Sequence, residues 1–214
     1  MNSNEELIQH LKKTGALKSP ALEKALFEVD RAIFVPKELQ HRAYADNPLH
    51  VMKGQTISQP FVIVHALEAL DLTEGHKVLE IGTCSGYQTA LIAKLVGKNG
   101  KVVSIELIPE LVAYAKKRLF NHKNVEIIHA DASKEDFLPT KKLVSLLEHF
   151  DRLIINAQTL NFPIHLLVLL KDEGKIVLPY GSVEHQNLLL VDSRLKTKKV
   201  IIPVQFVPLK GAHE

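Results

Sequence analysis

Tryptophan is absent, and aromatic residues make up 6% of the 214-residue chain, so little is available for stacking nucleobases. A single cysteine, Cys84, excludes an intramolecular disulfide and fits a reducing compartment. Neither sign of charge dominates. The 27 Lys and Arg residues stand against 24 Asp and Glu, a formal charge of +3, unlike a protein whose affinity rests on phosphate contacts. No nucleic-acid partner is expected on that ground. No apolar run approaches the ~20 residues of a membrane span, and the start Met1-Asn2-Ser3-Asn4-Glu5-Glu6 has neither the basic residues nor the apolar core of a secretory signal. The expectation is a cytoplasmic protein with no membrane association. The 11 histidines fall in no H-x-x-H, H-x-x-x-H or Cys/His cluster, so no metal is expected.

What is present is ordinary globular material: 46% hydrophobic and 24% charged residues, in a length that suits one well-buried unit. Ser3 and Glu6 form a capping-box pattern ahead of Leu7, Ile8 and Leu11, and Pro20 opens a second helix with Leu22, Ala25, Leu26 and Val29 on one face. Residues 30–60 carry Pro36, Pro48, Gly54 and Pro60 and read as an irregular segment, of a length that is usually functional. From Phe61 onward helix and strand alternate. Strands are expected at 77–81, 101–105, 125–129, 152–155 and 175–178. The helices between them are expected at 61–70, 87–96, 109–120 and 164–170, with a further one possible at 143–147. That alternation predicts a doubly wound, mostly parallel sheet with right-handed crossovers. Two last strands, 187–191 and 200–207, read as an antiparallel hairpin that completes seven strands, with the basic run Arg194 to Lys199 near its solvated tip.

The richest stretch runs from Val78 to Glu106. An apolar strand leads into Gly82-Thr83-Cys84-Ser85-Gly86-Tyr87, then a helix, a second strand and a carboxylate 20 residues after Gly86. This is where an α/β nucleotide-binding unit presents the acid that holds a ribose. A dinucleotide fingerprint would need small residues at 84 and 87, where Cys84 and Tyr87 stand, and Tyr87 is expected to obstruct a pyrophosphate. S-adenosylmethionine has no phosphate and needs only the tight turn of Gly82 and Gly86, so it is the expected cofactor. Glu106 offers two oxygens to two ribose hydroxyls, and Asp131, ending the third strand of the sheet, is placed to accept from an adenine amino group. Glu80, inside the first strand, needs donors, either from the turn or from the ammonium of the cofactor. Cys84 has no identifiable base and reads as a turn-filling residue. Ser58 precedes a proline-initiated helix, so its hydroxyl serves either as an N-cap or as a contact to substrate over the strand ends.

Five blocks carry a family resemblance: Arg31-Ala32-Ile33-Phe34-Val35-Pro36, Ala43-Tyr44-Ala45-Asp46-Asn47-Pro48-Leu49, Gly54-Gln55-Thr56-Ile57-Ser58-Gln59-Pro60, Val78 to Thr83 with Ser85-Gly86-Tyr87, and Pro203-Val204-Gln205-Phe206-Val207-Pro208-Leu209. In order and spacing they resemble the protein-L-isoaspartate O-methyltransferase family, over residues 25 to 211. The resemblance implies a class I S-adenosylmethionine-dependent fold. Residues 1–60 would be N-terminal helices and a substrate-covering segment, and 61–214 the cofactor-binding core, in one compact unit. It implies methylation of the α-carboxylate of isoaspartyl residues in damaged proteins, the first step of their repair to aspartate.

By the same resemblance, Ser58 matches the active-site serine within a substrate-binding stretch of Thr56, Ile57, Ser58 and Gln59. Gly82, Thr83, Gly86, Glu106, Asp131 and Ala132, with Glu80 beside them, match the cofactor contacts. The chain departs from the family pattern at Cys84, at Asp131-Ala132-Ser133 and at Asn156-Ala157-Gln158. Those departures keep two other readings open: the same fold with an RNA or small-molecule acceptor, or a non-catalytic binding module. The residues do not report oligomeric state; a monomer is the working expectation.

Overall fold

The structure is a computed structural model, and it describes residues 1–134, 136–137 and 150–209. Helix α1 (Asn4–Lys13) opens where Ser3 Oγ accepts the Glu6 N–H at 3.1 Å, and α2 (Pro20–Glu28) where Ser19 Oγ accepts the Leu22 N–H. Residues 30–60 are more regular than expected. They hold two 3₁₀ turns, Arg31–Phe34 and Lys37–Arg42, and a hairpin of β1 (Leu49–Met52) with β2 (Gln55–Ile57). The hairpin tip, Lys53 and Gly54, has φ of 52° and 73°, the left-handed pair that a two-residue turn requires.

The core then alternates α3 (Pro60–Leu70), β3 (Lys77–Ile81), α4 (Tyr87–Val96), β4 (Lys101–Glu106), α5 (Pro109–Arg118), β5 (Val125–His129), β6 (Phe150–Ile155), α6 (Ile164–Leu167), β7 (Leu170–Gly181), β8 (Gln186–Asp192) and β9 (Lys198–Val204). The seven strands lie in the order β5-β4-β3-β6-β7-β8-β9, parallel from β5 through β7 and antiparallel across β7-β8-β9. This is the expected doubly wound sheet with its closing hairpin. Alternation along β3 sends Val78 to one face and Leu79 and Ile81 to the other, and both faces are buried, as a parallel strand between two layers requires. Chain order reverses at β3, between β4 and β6, and the crevice at a sheet's carboxyl edge opens at such a switch point.

Several boundaries move from their expected places, three of them with a visible cause. Leu170 leaves the expected 164–170 helix because it pairs with Phe150 at the start of β7, beside a Phe150 N–H to Leu169 carbonyl bond of 2.6 Å. β9 ends at Val204 rather than 207, because the Phe206 N–H turns to the Gln186 side chain at 2.8 Å. The Arg194 to Lys199 run ends in β9: the turn before that strand is held by Asp192, whose carboxylate accepts the N–H groups of Arg194, Lys196 and Thr197. The possible helix at 143–147 lies outside the described residues.

Candidate functional site

A cavity of about 770 Å³ sits at the carboxyl edge over β3, β4 and β6, roofed by the β1–β2 hairpin and by the chain after β9. Its lining includes Gly82 to Ser85, Glu106 and Asp131 from the strand ends, and Thr56 to Gln59 with residues 205–209 from the roof. Of the residues expected from sequence, Thr56, Ile57, Ser58, Gln59, Gly82, Thr83, Glu106, Asp131 and Ala132 all line it.

Glu80 and Gly86 do not, and each has a physical reason. Glu80 is fully buried. Its Oε1 accepts from Gln88 and Asn156, each at 3.1 Å, and its Oε2 from Thr89 at 2.5 Å and Ser104 at 2.7 Å. Burial raises its pKa, while those four donors pull it the other way. With its acceptors taken, Glu80 braces the strand ends from behind the cavity wall. Gly86 has φ of 89° and starts α4; a Cβ there would stand 2.8 Å from Leu119 Cδ1. Its need is the left-handed turn and the close helix contact, not cofactor approach.

Tyr87 also corrects an expectation. Its ring is 1% exposed and points into the core against Phe34, with centroids 5.7 Å apart, so it does not obstruct the mouth of the turn. Phosphate is disfavoured for another reason: no Lys, Arg or His lines the cavity among the described residues.

Glu106 is 6% exposed, and its Oε2 accepts the Cys84 N–H at 2.8 Å while Oε1 accepts the Ile108 N–H at 3.0 Å. The carboxylate thus fixes the turn before β4's end can offer its remaining lone pairs to a diol. Asp131 Oδ1 accepts from Ser133 N at 3.1 Å and Ser133 Oγ at 2.6 Å, and Lys134 Nζ lies 3.4 Å from Oδ2. Burial pulls the Asp131 carboxyl up, but the Ser133 bonds and the Lys134 ammonium outweigh it and hold the group below its ordinary range. It stays an ionised acceptor.

Cys84 adopts φ of 49°, a strained value for a side chain with Cβ, and its Sγ donates to the Thr56 carbonyl at 3.3 Å. Burial, then the neighbouring Glu106, pushes its thiol up to about 12, so it is no nucleophile at neutral pH.

Ser58 is not a helix cap. The N-cap of α3 is Gln59, with no side-chain cap; Asp46 Oδ1 takes the Phe61 N–H at 2.9 Å instead. The Ser58 hydroxyl, in the cavity wall, bonds to no described residue.

Sequence reasoning missed Gln88 and Asn156. Asn156 Nδ2 donates to the Gly82 carbonyl at 2.9 Å, and its Oδ1 accepts from Gln88 at 2.8 Å, tying β6 to the glycine turn. Their polarity next to buried strand ends was the available signal. Among the described residues there is no group of three metal-binding side chains, and no helix is long and apolar enough to cross a membrane.

A glycine turn at a topological switch point, an acid ending the next strand, a second acid after the third and no cationic lining together define an S-adenosylmethionine-dependent methyltransferase of the α/β class. The comparisons agree. A family profile described as protein-L-isoaspartate(D-aspartate) O-methyltransferase matches residues 2–214. A protein-L-isoaspartate O-methyltransferase of Ignicoccus hospitalis is 39% identical over 211 residues, covering 95% of each chain, and one of Methanococcus aeolicus is 39% identical over 98% of this chain and 94% of its own. A Plasmodium falciparum crystal structure described under the same activity, in complex with S-adenosyl-L-homocysteine, superimposes with a TM-score of 0.85 at 25% identity, covering 98% and 99% of the two chains. The chain belongs to the protein-L-isoaspartate(D-aspartate) O-methyltransferase family, and its methyl donor is S-adenosylmethionine.

Proposed function

We propose that the cavity methylates the α-carboxylate of L-isoaspartyl residues in proteins, with Ser58 orienting that carboxylate. The observation that carries the reading is one cavity lined both by strand ends, which we read as the cofactor lobe, and by a segment whose Ser58 hydroxyl is spare, which we read as the acceptor lobe.

The donor set fits S-adenosylmethionine. Gly82 has φ of 92°, and its missing Cβ would stand 3.2 Å from Asn156 Cβ, leaving backbone where the amino-acid end of the cofactor would lie. Glu106 would accept from the ribose and Asp131 from the adenine amino group, with Thr83 and Ala132 on the same walls. When bound, S-adenosylmethionine supplies a methyl group on a sulfonium.

The acceptor carboxylate is ionised near neutral pH, so no base is required. The new bond joins carboxylate oxygen to methyl carbon, the carbon–sulfur bond breaks, and its electron pair stays on sulfur. Thr56 to Gln59 then have one task, to hold the oxygen in line at near-attack distance, which supplies the entropic share of the barrier reduction. Opposite charges vanish in this step. Water-excluding walls therefore help it, and the roof of Pro48, Ile57 and the Phe206-Val207-Pro208-Leu209 tail is apolar. A cavity without a cationic side chain suits an acceptor whose negative charge is met by the donor itself.

An RNA acceptor finds less support: the lysines of the 194–199 run are absent from the cavity lining. We assign the chain a cytoplasmic setting on its single cysteine and balanced charge, with a monomer kept as the working expectation.

The test is methyl transfer to an isoaspartyl peptide beside its aspartyl twin. The isoaspartyl peptide alone should be methylated, and Ser58→Ala should lower its kcat/KM by about 10- to 150-fold, the loss of one hydrogen bond to a charged group. Equal methylation of both peptides would refute the acceptor, and an unchanged Ser58→Ala enzyme would refute the role of Ser58.

A further inference from the structure

Arg31 is among the largest fully buried side chains of the described residues, with no exposed surface, and its neighbours are unusual for a buried cation. Its four hydrogen-bond acceptors are all backbone carbonyls. Nη1 donates to Ala43 at 2.7 Å and Ala45 at 3.2 Å, and Nη2 to Asn47 and Ser58, each at 3.1 Å. No carboxylate pairs with it among the described residues. Burial pulls its pKa down to about 10, with Tyr87 and Asp46 opposing, so it remains charged at neutral pH.

Burying an unpaired cation is expensive, and an apolar side chain would fill the same space without that penalty. Filling space therefore does not account for the residue. What the guanidinium does is gather two stretches of chain that flank the β1–β2 hairpin, 43–47 on one side and Ser58 on the other. Its planar fork serves four acceptors at once, where an ammonium is a single point with three donors. Asp46, inside the first stretch, takes the Phe61 N–H, while the Gln59 side chain donates to the Asp46 carbonyl at 3.1 Å. Ser58 and the chain that follows it to Phe61 are thus tied to residues 43–47. The glycine turn is braced by its own bonds, through Glu106 and Asn156, and meets this segment at the Cys84 Sγ to Thr56 carbonyl contact.

We propose that Arg31 is the positioning residue of the acceptor lobe: by clamping the carbonyls of 43–47 and Ser58 it sets the backbone from which the Ser58 hydroxyl meets the substrate carboxylate, without a role in cofactor binding. This rests on the acceptor-lobe reading above.

Arg31→Lys and Arg31→Gln, each alone and with Ser58→Ala, test it through S-adenosyl-L-homocysteine affinity by calorimetry and through kcat and KM for an isoaspartyl peptide. Arg31→Lys is expected to bind S-adenosyl-L-homocysteine within twofold of wild type and to lose at least tenfold in kcat/KM, on the order expected for a misplaced catalytic contact. The double variant should be no more than about twofold worse than Ser58→Ala, because both changes remove one positioned hydroxyl. The proposal is overturned if kcat/KM stays within twofold, if cofactor affinity falls in parallel with turnover, if the Arg31 and Ser58 losses multiply, or if both Arg31 variants fail to fold, which would make the residue purely structural. A silent Ser58→Ala beside an impaired Arg31→Lys would refute the role of Ser58 and leave Arg31 positioning the lobe by another group. A wild-type enzyme that ignores isoaspartyl peptides refutes the acceptor, and S-adenosyl-L-homocysteine affinity with amide exchange of residues 43–58 in Arg31→Lys then decides the clamp: faster exchange at unchanged affinity upholds it, unchanged exchange sinks it.

Discussion

Replacing Glu106 with alanine separates the two tasks of that carboxylate. Its oxygens accept the N–H groups of Cys84 and Ile108, at 2.8 and 3.0 Å, and a diol would take the remaining lone pairs. Removing it deprives the ribose of a charged acceptor, a loss of about 1–3 kcal/mol, or about 5- to 150-fold in dissociation constant at ~1.4 kcal/mol per tenfold. It also strands two backbone donors. Because the side chain borders the cavity, water can reach both, so the stability loss should stay near the lower end of the ~1–3 kcal/mol expected for each buried orphan. Calorimetric titration with S-adenosyl-L-homocysteine measures the first effect and a thermal melt without ligand the second. Glu106→Gln, which keeps one acceptor oxygen, should fall between wild type and Glu106→Ala in both. Unchanged affinity in Glu106→Ala would remove the residue from the cofactor site. A collapse of stability beyond several kcal/mol would show that its main work is to hold the turn.

Gly86→Ala should destabilise the fold by about 2–4 kcal/mol, since a Cβ at φ 89° is strained and meets Leu119 Cδ1 at 2.8 Å. The folded fraction should still bind S-adenosyl-L-homocysteine, and loss of binding at unchanged melting temperature would return Gly86 to the cofactor contacts. Acid should destabilise through Asp131, Asp151 and Asp192, whose folded pKa values lie below the ordinary 3.8, that of Asp192 at about 2. A depressed carboxylate contributes stability that is complete above its unfolded pKa and lost as pH falls through the folded one. The melting temperature should therefore drop as pH falls from 3.8 toward 2, and less so in Asp131→Asn; a flat profile there would contradict the ion-pair geometry. Glu80 works in the opposite sense: its pKa is raised, so its contribution is complete below 4.5 and declines as pH rises through the folded value.

The sequence by itself determined the glycine turn with its acid at 106, the succession of strands and helices along the chain and the closing hairpin. These follow from periodicities of 2 and 3.6 residues and from φ values that glycine adopts most easily, all properties of neighbours along the chain. The placement of Thr56, Ile57, Ser58 and Gln59 was legible by resemblance, but whether Ser58 capped α3 or faced the cavity was not. Asp46 settled it by taking the Phe61 N–H from 15 positions away.

Tertiary structure alone decided the rest. Glu80 and Gly86 sit in the same sequence block as true wall residues, yet side-chain alternation and helix contact turn one into a buried brace and the other into the left-handed turn that opens α4. Tyr87 looked like an obstruction beside the turn and instead fills the core against Phe34. Arg31 carries no local signature of its task, because its four acceptors lie 12 to 27 residues away and come together only when the hairpin folds over the cavity. The partners of a buried polar group come from across the molecule, as the Ala43 and Ser58 carbonyls come to Arg31, and no window of sequence contains them.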